Sequence, residues 1–150
     1  MDKPARLLVV DDDESVRDTM KAILQDEDFI VDLASTGSEA IQKTQEITYN
    51  VALLDIRLPD MEGVELLKLM KVAVPKTRKI MVTGYPSVQN AITALNNGAD
   101  AYLIKPVDID MLLTTVKEQL KLQENERRFS EQKVAEFIES RVKELSITPI

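Results

Sequence analysis

The amino-acid sequence predicts an α/β domain, a parallel sheet with helices on both faces, followed by one more helix at the C-terminal end. Three observations predict it. Five short runs of mainly apolar residues recur along the chain, stretches with helical spacing separate them, and most Gly and Pro residues fall in the connections.

The strands are expected at residues 6–10, 29–34, 51–54, 79–82 and 101–104. The first, third and fourth lack polar alternation, as strands buried on both faces do. Val16, Met20, Ile23 and Leu24 make the first helical stripe, and Ala40, Ile41 and Thr44 the second. Leu66, Leu67 and Met70 make the third, and Val88, Ala91, Ile92 and Leu95 the fourth. Ser38 and Ser87 stand near helix starts, Asp13 is read as a helix start, and Gly98 sits where a helix needs a left-handed stop. Asp108 is placed to cap a fifth helix that packs Leu112, Leu113, Val116 and Leu120 on the sheet. Strict alternation of strand and helix requires right-handed crossovers. Element count and length suit five strands in a flavodoxin-like order, 2-1-3-4-5.

Composition narrows the chemistry. The chain has 150 residues, 44% hydrophobic and 30% charged, with a formal net charge of -7. An acidic chain gains nothing from counterion release on DNA, so nucleic acid is not expected as a direct partner. No apolar run approaches the roughly 20 residues that cross a bilayer, so neither a membrane nor a signal peptide is expected, and a cytoplasmic protein is. There is no Cys and no His, which removes disulfides, thiolate nucleophiles, imidazole metal ligands and serine-type triads. Carboxylates, Lys, Ser, Thr, Tyr or a bound metal must do the work.

In open α/β sheets, ligands bind beyond the carboxyl ends of the strands where strand order reverses. Asp11, Asp12 and Asp13 follow the first strand, Asp55 the third, Thr83 the fourth and Lys105 the fifth. Each has a plain reading alone: a helix cap for the Asp run, a turn former for Asp55, a strand terminus for Thr83, a solvated side chain for Lys105. Together they put four complementary groups on one edge. Two unit charges about 4 Å apart repel by roughly 4 kcal/mol at an effective dielectric of about 20, so Asp11, Asp12 and Asp55 in one crevice must hold a cation or partly protonate. Hard oxygen ligands without His or Cys point to Mg²⁺.

The run LLVVDDDESVR (7–17) resembles the first strand and acidic pair of the receiver domain of two-component response regulators. ALLDIRLPDMEG (52–63) resembles its phosphoacceptor strand, MVTGYPS (81–87) its switch-threonine strand, and GADAYLIKP (98–106) the strand carrying its switch aromatic and lysine. The wording of the last two is nearest to receivers of nitrogen-regulation-type activators. The resemblance covers residues 5 to about 122. It implies Asp55 as the residue phosphorylated by a partner histidine kinase or phosphotransfer protein. It also implies Mg²⁺ held by Asp11, Asp12, Asp55 and the backbone carbonyl of Arg57, and Lys105 as the group that neutralises the phosphoryl oxygens. Thr83 and Tyr102 would be the switch pair, Tyr102 turning inward into space that Thr83 leaves, and Lys105–Pro106 the place for a cis peptide. Arg57 and Tyr85, two residues beyond Asp55 and Thr83, would flank the path of the hydrolytic water and slow self-dephosphorylation, or else point to solvent.

Rival chemistries fit less well. An aspartate-nucleophile phosphatase of the haloacid-dehalogenase type needs a second Asp at position 57, which is Arg, and a nucleotide-binding domain needs a Gly-rich turn where Asp-Asp-Asp-Glu-Ser stands. The expected organisation is a receiver at 1–122 and a helical extension at 123–150. Residues 108–150 carry nine acidic and seven basic side chains without a helix-turn-helix pattern. In the extension Val134, Ile138, Val142 and Leu145 recur at helical spacing with Phe137 beside them. That stripe needs a cover: a second copy in a coiled coil, making a homodimer, or a groove on a partner or on its own domain. The remaining reading is a frayed tail.

Overall fold

The computed structural model describes residues 3–147 apart from 71 and 74, and, within the last helix, the side chains only as far as residue 145. Residues 148–150 of the expected extension and residues 1–2 of the expected receiver lie outside the described residues. Five parallel strands, β1 (Arg6–Val10), β2 (Ile30–Ala34), β3 (Val51–Asp55), β4 (Arg78–Thr83) and β5 (Ala101–Ile104), pair in the order β2-β1-β3-β4-β5. The helices are α1 (Glu14–Asp26), α2 (Gly37–Glu46), α3 (Gly63–Leu69), α4 (Val88–Asn96) and α5 (Ile109–Ile147).

Period-two alternation sorts each strand between two cores. Leu8, Val10, Ala52, Leu54 and Met81 face Ala40, Leu66, Leu67 and Ala94 of α2, α3 and α4. Leu7, Val9, Val51, Leu53, Ile80 and Val82 face Met20, Leu24, Leu112 and Val116 of α1 and α5. Because β1 pairs with both β2 and β3, the order reverses there, and the ends of β1 and β3 open one crevice. Asp55 and Thr83 are the last residues of their strands, one position further in than expected, so the sheet itself aims both.

Local signals account for most helix boundaries. Asp13 caps α1 by accepting from the amides of Ser15 and Val16, Ser87 caps α4 from Asn90, and Asp108 accepts from Met111 at the start of α5. Gly98 ends α4 at φ 103°, where a Cβ would be strained. The cap of α2 is Thr36, with Ser38 inside the first turn. The stripe expected to bury α4 is corrected: Val88, Ile92 and Leu95 face solvent, and Ala94 is the residue packed inward. The helix buries a small side chain and leaves the large ones outside.

α5 runs unbroken for 39 residues, on the order of 60 Å at 1.5 Å per residue. The boundary expected at 122/123 falls inside it. Leu112, Val116, Gln119, Gln123 and Glu126 follow one another at spacings of four, three, four and three, so one face changes from apolar to polar as the helix passes the feet of the strands. Gln119 accepts from Arg78 Nε at 2.8 Å, and Glu126 from Arg78 Nη1 at 2.8 Å. Gln123, buried, accepts from Asn50 Nδ2 and donates to the carbonyls of Asn50 and Lys76 at 3.0 and 2.8 Å. This polar face is therefore the seam fastening the helix to the feet of β3 and β4.

Candidate functional site

The edge formed by the carboxyl ends of the strands carries a cleft of about 450 Å³ lined by Asp11, Asp12, Asp55, Arg57, Tyr85 and Lys105 together with Asp13 and Gly84. Asp11 leaves β1 buried, with its amide on the Ala34 carbonyl at 3.1 Å. Its Oδ1 accepts from the Asp13 amide at 2.9 Å, and its own carbonyl accepts from Arg17 Nη1 at 2.6 Å. Asp55 ends β3, also buried, with Oδ1 3.3 Å from the Arg57 amide. Asp12 is exposed beside them. One carboxylate oxygen from each of Asp11, Asp12 and Asp55 lies within 4.8 Å of the others.

Lys105 enters from the end of β5, its amide on the Thr83 carbonyl at 2.7 Å, and Lys105–Pro106 is cis. Its Nζ lies 2.6 Å from Asp11 Oδ2 and 3.3 Å from Asp55 Oδ2. Burial first, and then the neighbouring charge of Asp11, push the Asp55 carboxyl above its usual range, against the Arg57 amide and Lys105. Burial also works against the Lys105 charge, but its bonds to Asp11 and the fields of both carboxylates outweigh it and raise that ammonium. Three carboxylates and one ammonium leave two negative charges uncompensated. Hard oxygen donors with that deficit fit Mg²⁺.

Thr83 lies fully buried behind the cleft, its Oγ1 accepting from the Tyr85 amide at 2.9 Å. Tyr102 sits away from the cleft on β5. Its ring packs against the α2–α3–α4 core, and its hydroxyl is buried without a hydrogen-bond partner. Arg57 and Tyr85 are exposed over the cleft, and the Arg57 guanidinium carbon lies 4.6 Å from the centre of the Tyr85 ring. Every residue expected at the site thus reaches the cleft except Thr83, directly behind it, and Tyr102. Two contributors were not foreseen. Arg17 braces the Asp11 carbonyl, and its place one helical turn beyond Asp13 is the signal that was there to read. Asp60 accepts from the amides of Gly37 and Ser38, both at 2.9 Å, a contact across more than twenty residues that no local pattern announces.

A parallel five-stranded sheet with an acidic cluster and a lysine at its switch point defines a phosphoacceptor type of signalling domain. The chain belongs to the response regulator receiver domain family, whose family model matches residues 7–117. Domains of this family take phosphate from histidine kinases onto an aspartate and bind Mg²⁺ at an acidic cluster. The chain is 41% identical over 114 residues to the transcriptional regulatory protein ZraR of Klebsiella oxytoca, covering 76% of this chain and 26% of that protein. It thus spans about a quarter of the length of that curated relative. A CheY-like receiver domain protein from Methanospirillum hungatei JF-1 superposes with TM-score 0.79 at 47% identity, covering 83% of this chain and 99% of that one. The beryllofluoride-activated NtrC4 receiver domain dimer superposes with TM-score 0.74 at 36% identity, covering 79% and 98%. No described helix is long and apolar enough to cross a membrane.

Proposed function

We propose that Asp55 is the phosphoacceptor of this receiver. The observation that carries the reading is the position of Lys105, which bridges Asp11 and Asp55 while Asp12 completes the carboxylate cluster. An Asp55 oxygen attacks the phosphorus of a phosphohistidine on the partner kinase or phosphotransfer protein. The P–N bond breaks, its electron pair goes to the imidazole nitrogen, which takes up a proton, and an aspartyl phosphate remains. Asp11, Asp12, Asp55 and the backbone carbonyl of Arg57 would hold Mg²⁺, which when bound neutralises charge on the phosphoryl oxygens. Lys105 would neutralise the phosphoryl group as well, exchanging its contact with Asp55 for one with a phosphoryl oxygen. An apolar groove between Val16, Met20 and Ile23 of α1 and Pro106, Val107 and Leu112 adjoins Lys105 and offers the donor protein a surface.

The switch follows from Thr83. When its hydroxyl turns to a phosphoryl oxygen, the Tyr85 amide loses its acceptor and the packing beside the buried Tyr102 hydroxyl changes. Tyr102 already lies against the core, so the readout is a repacking around it. Residues 1–122 act as the receiver and 123–150 as its helical extension, joined by the α5 seam. The exposed apolar faces of α4 and α5 pair with a second copy to make a homodimer. Incubation with Mg²⁺ and acetyl phosphate should add one phosphoryl group by intact mass, and Asp55→Asn should add none. Full incorporation in Asp55→Asn would overturn the assignment.

A further inference from the structure

The loop at 56–62 carries Arg57 from β3 to α3. It closes on itself through Leu58 N–H to the Met61 carbonyl at 3.0 Å and Gly63 N–H to the Ile56 carbonyl at 2.8 Å. Those bonds set its shape but do not fix where its tip lies. Two consecutive residues at the tip supply that restraint. The Asp60 carboxylate spans the start of α2, with Oδ1 on the Gly37 amide and Oδ2 on the Ser38 amide, both at 2.9 Å. Met61 fills the space over Gly37, where a Cβ would lie 2.4 Å from its sulfur.

The first turn of a helix has amides without intrahelical partners, and a negative charge there is favoured by the helix dipole. Thr36 Oγ1 already serves the Glu39 amide at 3.1 Å. Asp60 serves the two amides that remain ahead of it, from 22 and 23 residues away. α2 is held in turn by Ala40 and Thr44 buried in the domain. The loop is thus braced twice, by its own strand and, at its tip, by α2.

We propose that Asp60 is a positioning residue for magnesium: by fastening the 56–62 loop to α2 it holds the Arg57 backbone where it can complete the ion's ligand set. This rests on the reading of Arg57 as a ligand through its carbonyl. Residues that orient ligands from outside the coordination sphere are typically worth about 10- to 100-fold in metal affinity. An exposed carboxylate acting through one loop belongs at the lower end.

The test is calorimetric titration of MgCl₂ into the unphosphorylated protein, with acetyl phosphate labelling read separately. Asp60→Ala should weaken Mg²⁺ binding about tenfold, and Asp60→Asn, which keeps one acceptor oxygen, by less. At saturating Mg²⁺ the labelling rate should return to that of the wild type. Thr36→Ala is the control, since it removes a cap from α2 without touching the loop, and it should leave Mg²⁺ affinity unchanged. Wild-type affinity in a folded Asp60→Ala, or equal weakening in Thr36→Ala, would overturn the proposal, because Asp60 would then be only a helix cap. Asp12→Ala separates the two readings: if it too binds Mg²⁺ normally, the acidic-cluster site itself is wrong.

Discussion

The guanidinium of Arg57 stacks on the ring of Tyr85, with 4.6 Å from its carbon to the ring centre, and the pair stands over the cleft that contains Asp55. Neither residue touches the other in sequence; the turns after β3 and β4 bring them together. A cation over an exposed aromatic face is worth about 0.5–1 kcal/mol, so the two side chains act as one cover rather than two independent ones.

Hydrolysis of an aspartyl phosphate needs a water in line with the P–O bond to Asp55, and we propose that this pair obstructs its approach. Replacing both residues, Arg57→Ala with Tyr85→Ala, should speed loss of the phosphoryl group roughly two- to fivefold, the barrier equivalent of the stacking energy. Either single replacement should have most of the effect of the double. The decay of phosphorylated mass after removal of acetyl phosphate measures this. An unchanged decay in the double variant would mean that the pair does not guard the water.

The electrostatics of Asp55 give a prediction about stability. Burial and the nearby Asp11 raise its folded-state carboxyl above the unfolded value. The stability linked to this group is therefore fully present below the unfolded pKa and is lost as pH rises through the higher folded one. At neutral pH the ionised Asp55 weighs against the metal-free fold. Asp55→Asn should melt higher than the wild type in EDTA, at about 2–4 °C per kcal/mol for a chain of this size. Excess Mg²⁺ should raise the wild type and narrow the gap. Calorimetry at pH 7.5 with EDTA and with MgCl₂ decides it, and a lower melting point for Asp55→Asn in EDTA would refute the account.

Gly63 offers a steric test of the same region. A Cβ there would lie 2.4 Å from the Asp55 carbonyl oxygen and 2.7 Å from Met81 Cε. The strand carbonyl cannot move without moving Asp55. Gly63→Ala should cost about 1–3 kcal/mol, as overpacking does, and should also slow phosphorylation at saturating Mg²⁺. Urea unfolding and acetyl phosphate labelling read the two effects. Wild-type stability in this variant would show that α3 can back away from β3.

Much of this was legible in the residues. Buried strands announce themselves as apolar runs, and their carboxyl ends carry Asp11, Asp55, Thr83 and Lys105, so the sheet and its edge followed from alternation and spacing. What was hidden has a common cause. Helical periodicity tells which residues share a face but not which face turns inward, and α4 turns Ala94 in and Val88, Ile92 and Leu95 out. Likewise nothing local marks Gln119, Gln123 and Glu126 as a seam, because their partners, Arg78, Asn50 and the Lys76 carbonyl, lie more than forty residues away. Asp60 was missed for the same reason. Polar contacts across the fold have no periodic signature.

The last prediction concerns the far half of α5. Phe129, Val134, Phe137, Ile138 and Leu145 are each more than half exposed on a helix whose foot is fastened by Gln123 and Glu126. Fully burying one large apolar side chain is worth about 1.5–3 kcal/mol, so pairing this face with its copy would offset much of the entropy lost on association. The flanking charges do not oppose pairing, because Glu124, Arg127, Arg128 and Glu131, like Glu139 and Lys143, neutralise one another along the helix. The full chain should therefore sediment as a dimer at micromolar concentration. A version ending at Arg128, which keeps the seam to β3 and β4, should sediment as a monomer until beryllofluoride and Mg²⁺ are added, when the α4 face joins a second copy. Beryllofluoride should also tighten the dimer of the 150-residue chain. If both versions sediment as monomers with and without beryllofluoride, the exposed stripe is not a dimer surface.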